Sequence, residues 1–189
     1  MILKLAAYRR DLEIRWVVFS SDEERRAEAL NSAHTFLENV SDKTIVIHAL
    51  RDGFFPYLGG ELKNRFEQLK SELSPDVILT HYRNDLHQDH RLVSELTWNT
   101  FRNHLVLEYE TPKYDGDFGS PNVFVPLDES ICRRKIDTIL SAFQSQTEKR
   151  WFSRDLFFAI LRLRGMEANA SSGYAEAFYC RKAVFEMEV

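Results

Sequence analysis

The stretch HYRNDLHQDHR at residues 81–91 sets His81, His87 and His90 among Asp85 and Asp89. Neutral imidazoles with carboxylates close by do two kinds of chemistry. They bind a borderline metal such as zinc, or they move protons beside a polarised bond. His87 and His90 stand at i and i+3, so in the first turn of a helix both project from one face. Asp85 and Asp89 are then placed to complete or orient such a site. The same residues also suit a plain solvated loop with Asp85 as a helix cap, and spacing alone leaves both readings open. A catalytic zinc takes three protein ligands as a rule, and this stretch offers one or two in good geometry.

Other residues carry weaker signals. Asp52-Gly53 follows the apolar run KTIVIHAL and reads either as a turn or as an acceptor for a sugar hydroxyl. In the loop PKYDGDFGSP (112–121), Tyr114 and Phe118 suit stacking on a sugar ring or packing down as anchors. His34 falls in a helical pattern, His48 in a strand pattern and His104 at a helix end, which are structural placements. No G-x-G-x-x-G, G-x-x-x-x-G-K-[ST] or G-x-S-x-G occurs, so nucleotide cradles and a serine-hydrolase elbow lack their usual marks.

The elements that must position these residues follow from periodicity. Strands are expected at 13–20 (EIRWVVFS), 43–50 (KTIVIHAL), 76–81 (DVILTH), 105–110 (LVLEYE) and within NVFVPL. Helical spacing appears at 21–40, with Ser21 and Glu24 as a capping box, in ELKNRFEQLKSEL, and from HQDHR onward. It recurs in ESICRRKIDTILSAFQSQ and in RDLFFAILRLRG, which is expected to end at Gly165. The near-continuous apolar run of DVILTH predicts burial on both faces. The tail GYAEAFYCRKAVFEME reads as strand-like. Strand–helix alternation of this kind predicts an α/β protein with a mostly parallel sheet, and ligands at the carboxyl ends of its strands. The chain opens directly on a helical pattern, MILKLAAYRR, with no capping residue and no strand before it.

With 189 residues, 44% of them apolar and a net charge of −4, the chain suits a single domain with a full core and no basic stripe for nucleic acid. No apolar run is long enough to span a bilayer and no signal-peptide pattern opens the chain, so a cytoplasmic protein is expected. Cys132 and Cys180 read as packing residues of a reducing compartment.

Directly after a buried strand, DLHQDHR resembles the second motif, H-[PQ]-D-H, of the PIG-L/LmbE-like zinc deacetylases. RRAEALNSA, the RDG turn, ILTHYRNDLHQDHR and the closing GYAEAF extend the resemblance over most of the chain. It implies a Rossmann-like three-layer sandwich and hydrolysis of the acetamide of an N-acetylglucosamine-type group by a metal-bound water. It implies His90 as the zinc ligand, His87 as acid or electrostatic stabiliser, and Asp89 as the carboxylate orienting a histidine. Some relatives place a tyrosine two positions before the first histidine, where this chain has Asp85. His81, Asp52, Asp85 and Tyr114 are the expected substrate contacts. The family's first motif, a strand leading to A-H-P-D-D-E and Gly-Gly, supplies its remaining ligands and its base. ILKLAAYRR resembles the helix that follows it, so residues 1–189 are expected to form one such domain without its first strand.

The expected function is a metal-dependent N-deacetylase acting on an N-acetylated sugar or conjugate. A non-catalytic, sugar-binding relative and a metal phosphoesterase are the alternatives. Expected partners are the sugar and, through an open sheet edge, a second copy of the chain, with no nucleic acid and no membrane span.

Overall fold

The computed structural model describes residues 1–184. They form an α/β fold with two sheets instead of the single sheet expected. In the first, β1 (Glu13–Ser20) lies parallel to β2 (Asp42–Leu50). The second has the order β3 (Val77–His81), β4 (Leu105–Tyr109), β6 (Ala175–Cys180), β5 (Val123–Pro126). Within it β3 and β4 are parallel, and β4 and β6 antiparallel. Strand ends fall within a residue or two of the apolar runs that predict them. The part of the tail beyond 184 lies outside the described residues.

The chain forms two compact units. The first comprises Met1–Arg51 and Phe124–Glu176. Here α2 (Glu23–Phe36) links β1 to β2, and α1 (Ile2–Tyr8), α5 (Glu129–Ala142) and α6 (Arg154–Glu167) pack nearby. One buried cluster joins Ala6, Leu37 and Val40, and another joins Leu127, Cys132, Ile136 and Leu161. The second unit comprises Asp52–Val123 and the segment starting at Ala177. It holds β3, β4, α3 (Gly59–Glu72), α4 (Gln88–Thr100) and a 3-10 turn at Phe55–Leu58 that the sequence pattern did not reveal. Leu62 and Phe66 of α3 and Val93 of α4 are buried on the helical faces that periodicity marks. Thr80 and Thr97 share a 3.0 Å hydrogen bond between β3 and α4. No helix among the described residues is long and apolar enough to cross a membrane.

Several expectations are corrected. Asp22, not Ser21, caps α2, accepting the amide of Arg25 at 2.8 Å, while Ser21 Oγ donates to the carbonyl of His48. Strand β3 is not buried on both faces: Val77 stays 38% exposed, because β3 has β4 as its one strand partner among the described residues. Helix α6 runs two residues past Gly165, and the left-handed residue beyond it is Asn169 (φ 47°). Gly165 instead admits a neighbouring segment. A Cβ there would stand 2.2 Å from the carbonyl oxygen of Gly173 and 2.5 Å from Cα of Tyr174.

That spacing decides the sign of a substitution. Alanine is the better helix former by about 1 kcal/mol, but backbone cannot yield as a flexible side chain does. Gly165→Ala is therefore expected to destabilise the protein by about 1–3 kcal/mol. Denaturant titration measures it, and an unchanged or raised midpoint would show that the two segments separate without cost.

Candidate active site

All the residues that the sequence singles out for chemistry fall in the second unit, in three segments of the chain. The central one follows β3. His81 is its last residue, paired in register with Tyr109 of β4. The chain turns through Tyr82–Asp85, with the Asp85 amide donating to the Tyr82 carbonyl, and enters α4 with His87 as the N-cap residue. The three imidazoles pile up. The His81 and His90 ring centroids are 4.1 Å apart and those of His87 and His90 are 4.6 Å apart.

Asp85 lies beneath them, 1% exposed. Its Oδ1 accepts the His87 amide at 2.8 Å. Its Oδ2 accepts His90 Nδ1 at 2.9 Å and Lys113 Nζ at 3.0 Å. The carboxylate that orients a histidine is thus Asp85. Asp89, expected in that role, accepts the amides of Gly53 (2.6 Å) and Phe55 (3.1 Å), and so holds the turn after β2. Gly53 adopts φ +77°, a conformation that glycine takes without strain. Gln88 completes the clasp by donating to the Gly53 carbonyl at 3.1 Å. Asp52 is exposed on this turn.

On the other flank lies the 112–121 loop. Asp117 accepts the Leu86 amide at 2.7 Å and Lys113 Nζ at 2.5 Å. Gly119 donates to Tyr179 Oη at 2.9 Å, and Tyr179 donates to Glu110 at 2.8 Å. Tyr114 projects from this loop, 69% exposed, and Phe118 is also exposed. Lys113 and Asp117 had no signal in the sequence, because Asp85 and Leu86, which they meet, are 28 and 31 residues away along the chain. Arg91 was equally silent. Its guanidinium donates to the carbonyls of Asp85 and Leu86 and fastens the loop to α4.

The electrostatics follow from burial. Burial, and then the charge of His90, pushes His81 down to about 3, so its ring is neutral at physiological pH. Its Nε2 meets Tyr109 Oη at 3.3 Å, and its Nδ1 and that of His87 are buried without a hydrogen-bond partner. With Asp85 on Nδ1, His90 keeps Nε2 as the lone-pair nitrogen, the arrangement of a metal-ligating or proton-accepting histidine. His90 therefore fits as one metal ligand. Among the described residues no three His, Cys, Asp or Glu side chains are grouped to hold an ion, so they do not complete a zinc site by themselves.

Burial alone would raise the Asp85 carboxyl, but the hydrogen bond and charge of His90, the His87 amide and Lys113 outweigh it and bring it from 3.8 to about 2. The stability this carboxylate contributes is present above pH 3.8 and is lost as pH falls toward about 2. Asp85→Asn is expected to lower unfolding free energy by on the order of 2 kcal/mol near neutral pH, with the gap closing in acid. Denaturation at stepped pH tests this, and a gap that does not change with pH would exclude the charge as the cause.

Known proteins resemble this chain in sequence and in fold. Residues 8–101 match the family PIG-L: GlcNAc-PI de-N-acetylase, which takes in the RRAEALNSA, RDG and DLHQDHR segments but not GYAEAF. No curated protein matches the sequence. Three solved structures share the fold. The N,N'-diacetylchitobiose deacetylase from Pyrococcus horikoshii has TM-score 0.64 and 19% identity, over 94% of this chain and 75% of its own. The zinc-inhibited form of teicoplanin deacetylase Orf2 has TM-score 0.68 and 13% identity, over 94% and 90%. GalB, the 4-carboxy-2-hydroxymuconate hydratase from Pseudomonas putida KT2440, has TM-score 0.66 and 15% identity, over 100% and 92%. A hydratase among them shows that this fold serves more than one chemistry. Residues 8–101 thus carry a PIG-L, GlcNAc-PI de-N-acetylase, family domain.

Proposed function

We propose that this protein hydrolyses the N-acetyl group of an N-acetylglucosamine-type sugar or sugar conjugate, with residues 1–189 acting as one domain. The observation that carries the reading is the pile of His81, His90 and His87 over buried Asp85 at the carboxyl end of a parallel strand pair. The family domain and the deacetylases of the same fold support it. The parallel pairs β1–β2 and β3–β4 also support reading the fold as a Rossmann-like sandwich.

In this reading His87 stands nearest the scissile amide, where it stabilises the developing oxyanion or protonates the leaving amine. His90, fixed by Asp85, presents Nε2. His81 is neutral and stacked on His90, and contributes shape and an uncharged wall to the substrate site. Asp89 is a positioning residue: by holding the 53–55 turn it sets Asp52 where a sugar hydroxyl can be bound. Tyr114 offers a ring face for the sugar. A divalent metal such as Zn²⁺ would be held here by His90 and would supply a polarised, more acidic water when bound.

A second reading is favoured by one observation, the lack of a three-donor cluster among the described residues. It keeps the sugar pocket and gives up the hydrolysis. Acetate release from N-acetylglucosamine and N,N'-diacetylchitobiose, measured alongside sugar binding, separates the two. For a deacetylase, His87→Gln lowers kcat by roughly 10²–10⁴-fold and leaves sugar binding in place. Dialysis against a chelator also abolishes turnover, and added zinc restores it. Sugar binding without acetate release from the unaltered chain would establish the second reading, and neither binding nor release would reject both.

A further inference from the structure

A different part of the second unit carries a concentration of positive charge around one tryptophan. Trp98 of α4 donates its indole N–H to Glu108 Oε1 at 2.5 Å. Two guanidinium groups stand over its ring, Arg83 with Cζ 5.9 Å from the centroid and Arg181 with Cζ at 5.2 Å. Glu108 is 1% exposed, and its second oxygen accepts the Arg83 amide at 2.9 Å. Arg83 Nε forms an ion pair with Glu108 Oε1 at 3.8 Å. Arg181 is exposed and makes no ion pair among the described residues. Two more cations adjoin. Arg102 donates to the Asn99 carbonyl one turn after Trp98, and Lys182 donates to the Arg102 carbonyl at 2.5 Å. One buried, fully engaged carboxylate thus stands against four cations, in a chain whose net charge is −4.

Stacking over an indole holds a guanidinium plane in place and leaves its N–H edge free to donate. Like charges collected on a rigid platform create a local potential that an anion neutralises. The ligand that suits two such forks is a tetrahedral anion with several acceptor oxygens, since a carboxylate offers one planar edge and satisfies a single fork.

We propose that Arg83 and Arg181, set on Trp98, form a phosphate-binding site. Arg83 lies in the loop that also carries Asp85, so a phosphate held there sits beside the segment bearing the histidines. The site does not depend on the deacetylase reading, and its test reads binding, not acetate.

Calorimetric titration of the full chain at low salt tests it with three ligands: inorganic phosphate, N-acetylglucosamine 1-phosphate and N-acetylglucosamine. Arg181→Ala and Arg83→Ala should each weaken both phosphate ligands by about tenfold, the loss of one charge-assisted contact. Neither should change the affinity of the neutral sugar. Arg181→Lys should fall between, keeping the charge without the fork. Tighter binding of the sugar phosphate than of inorganic phosphate would assign the group to a sugar conjugate, and equal binding to a free anion. Thermal melts verify that each variant is folded. No phosphate binding to the unaltered chain, or equal phosphate affinity in folded variants, overturns the proposal.

Discussion

A carboxylate taken out of water must find donors for its oxygens, and Asp85 meets that demand by collecting three from three places. The His87 amide, His90 Nδ1 and Lys113 Nζ all converge on it. Each donor fixes something different: the entry of α4, the tautomer and tilt of an imidazole, and the inner end of the 112–121 loop. Removing the carboxylate would leave His90 Nδ1 and the His87 amide without their acceptor, and Lys113 with Asp117 as its remaining anion. The cost of burying donors without an acceptor is what makes this cluster a single arrangement.

Asp89 works by the same physics one turn along. Its two oxygens face two backbone amides, so a side chain on α4 shapes the turn at residues 53–55. The site is therefore flanked on both sides by loops whose conformations are dictated from its own central segment. Parallel strand pairing supplies the common platform, because it brings the loops after β3 and β4 to one end.

Much of this was legible in the sequence where the governing rule is local. A strand such as EIRWVVFS is marked by its β-branched and aromatic residues, and β1 ends at Ser20, where that run ends. The histidines at 87 and 90 meet because three residues is nearly one helical turn. What was not legible depends on distant groups. Whether Asp85 or Asp89 orients His90 cannot be told from spacing, since both lie close along the chain. The choice is made by which carboxylate the amides of Gly53 and Phe55 occupy. Lys113 looked like any loop lysine. Gly165 looked like a helix terminator because the crowding that requires it comes from Gly173. Ser21 lost the cap of α2 to Asp22 once its hydroxyl found the carbonyl of His48.

The bond between Gly119 and Tyr179 has a consequence in time. It joins residues 60 positions apart, and the tyrosine belongs to β6, near the end of the sequence. Synthesis runs from the amino end at about 5–20 residues per second. The histidine segment and its flanking loop are therefore made several seconds before the hydroxyl that clamps that loop. During that interval α4 and the β3–β4 pair can form, and Lys113 and Asp117 can tie the loop to Asp85 and Leu86, while the bond from Gly119 to Tyr179 is still to be made. That bond closes only when the antiparallel strand is laid against β4, so the last strand among the described residues completes the hold on the loop beside the histidines.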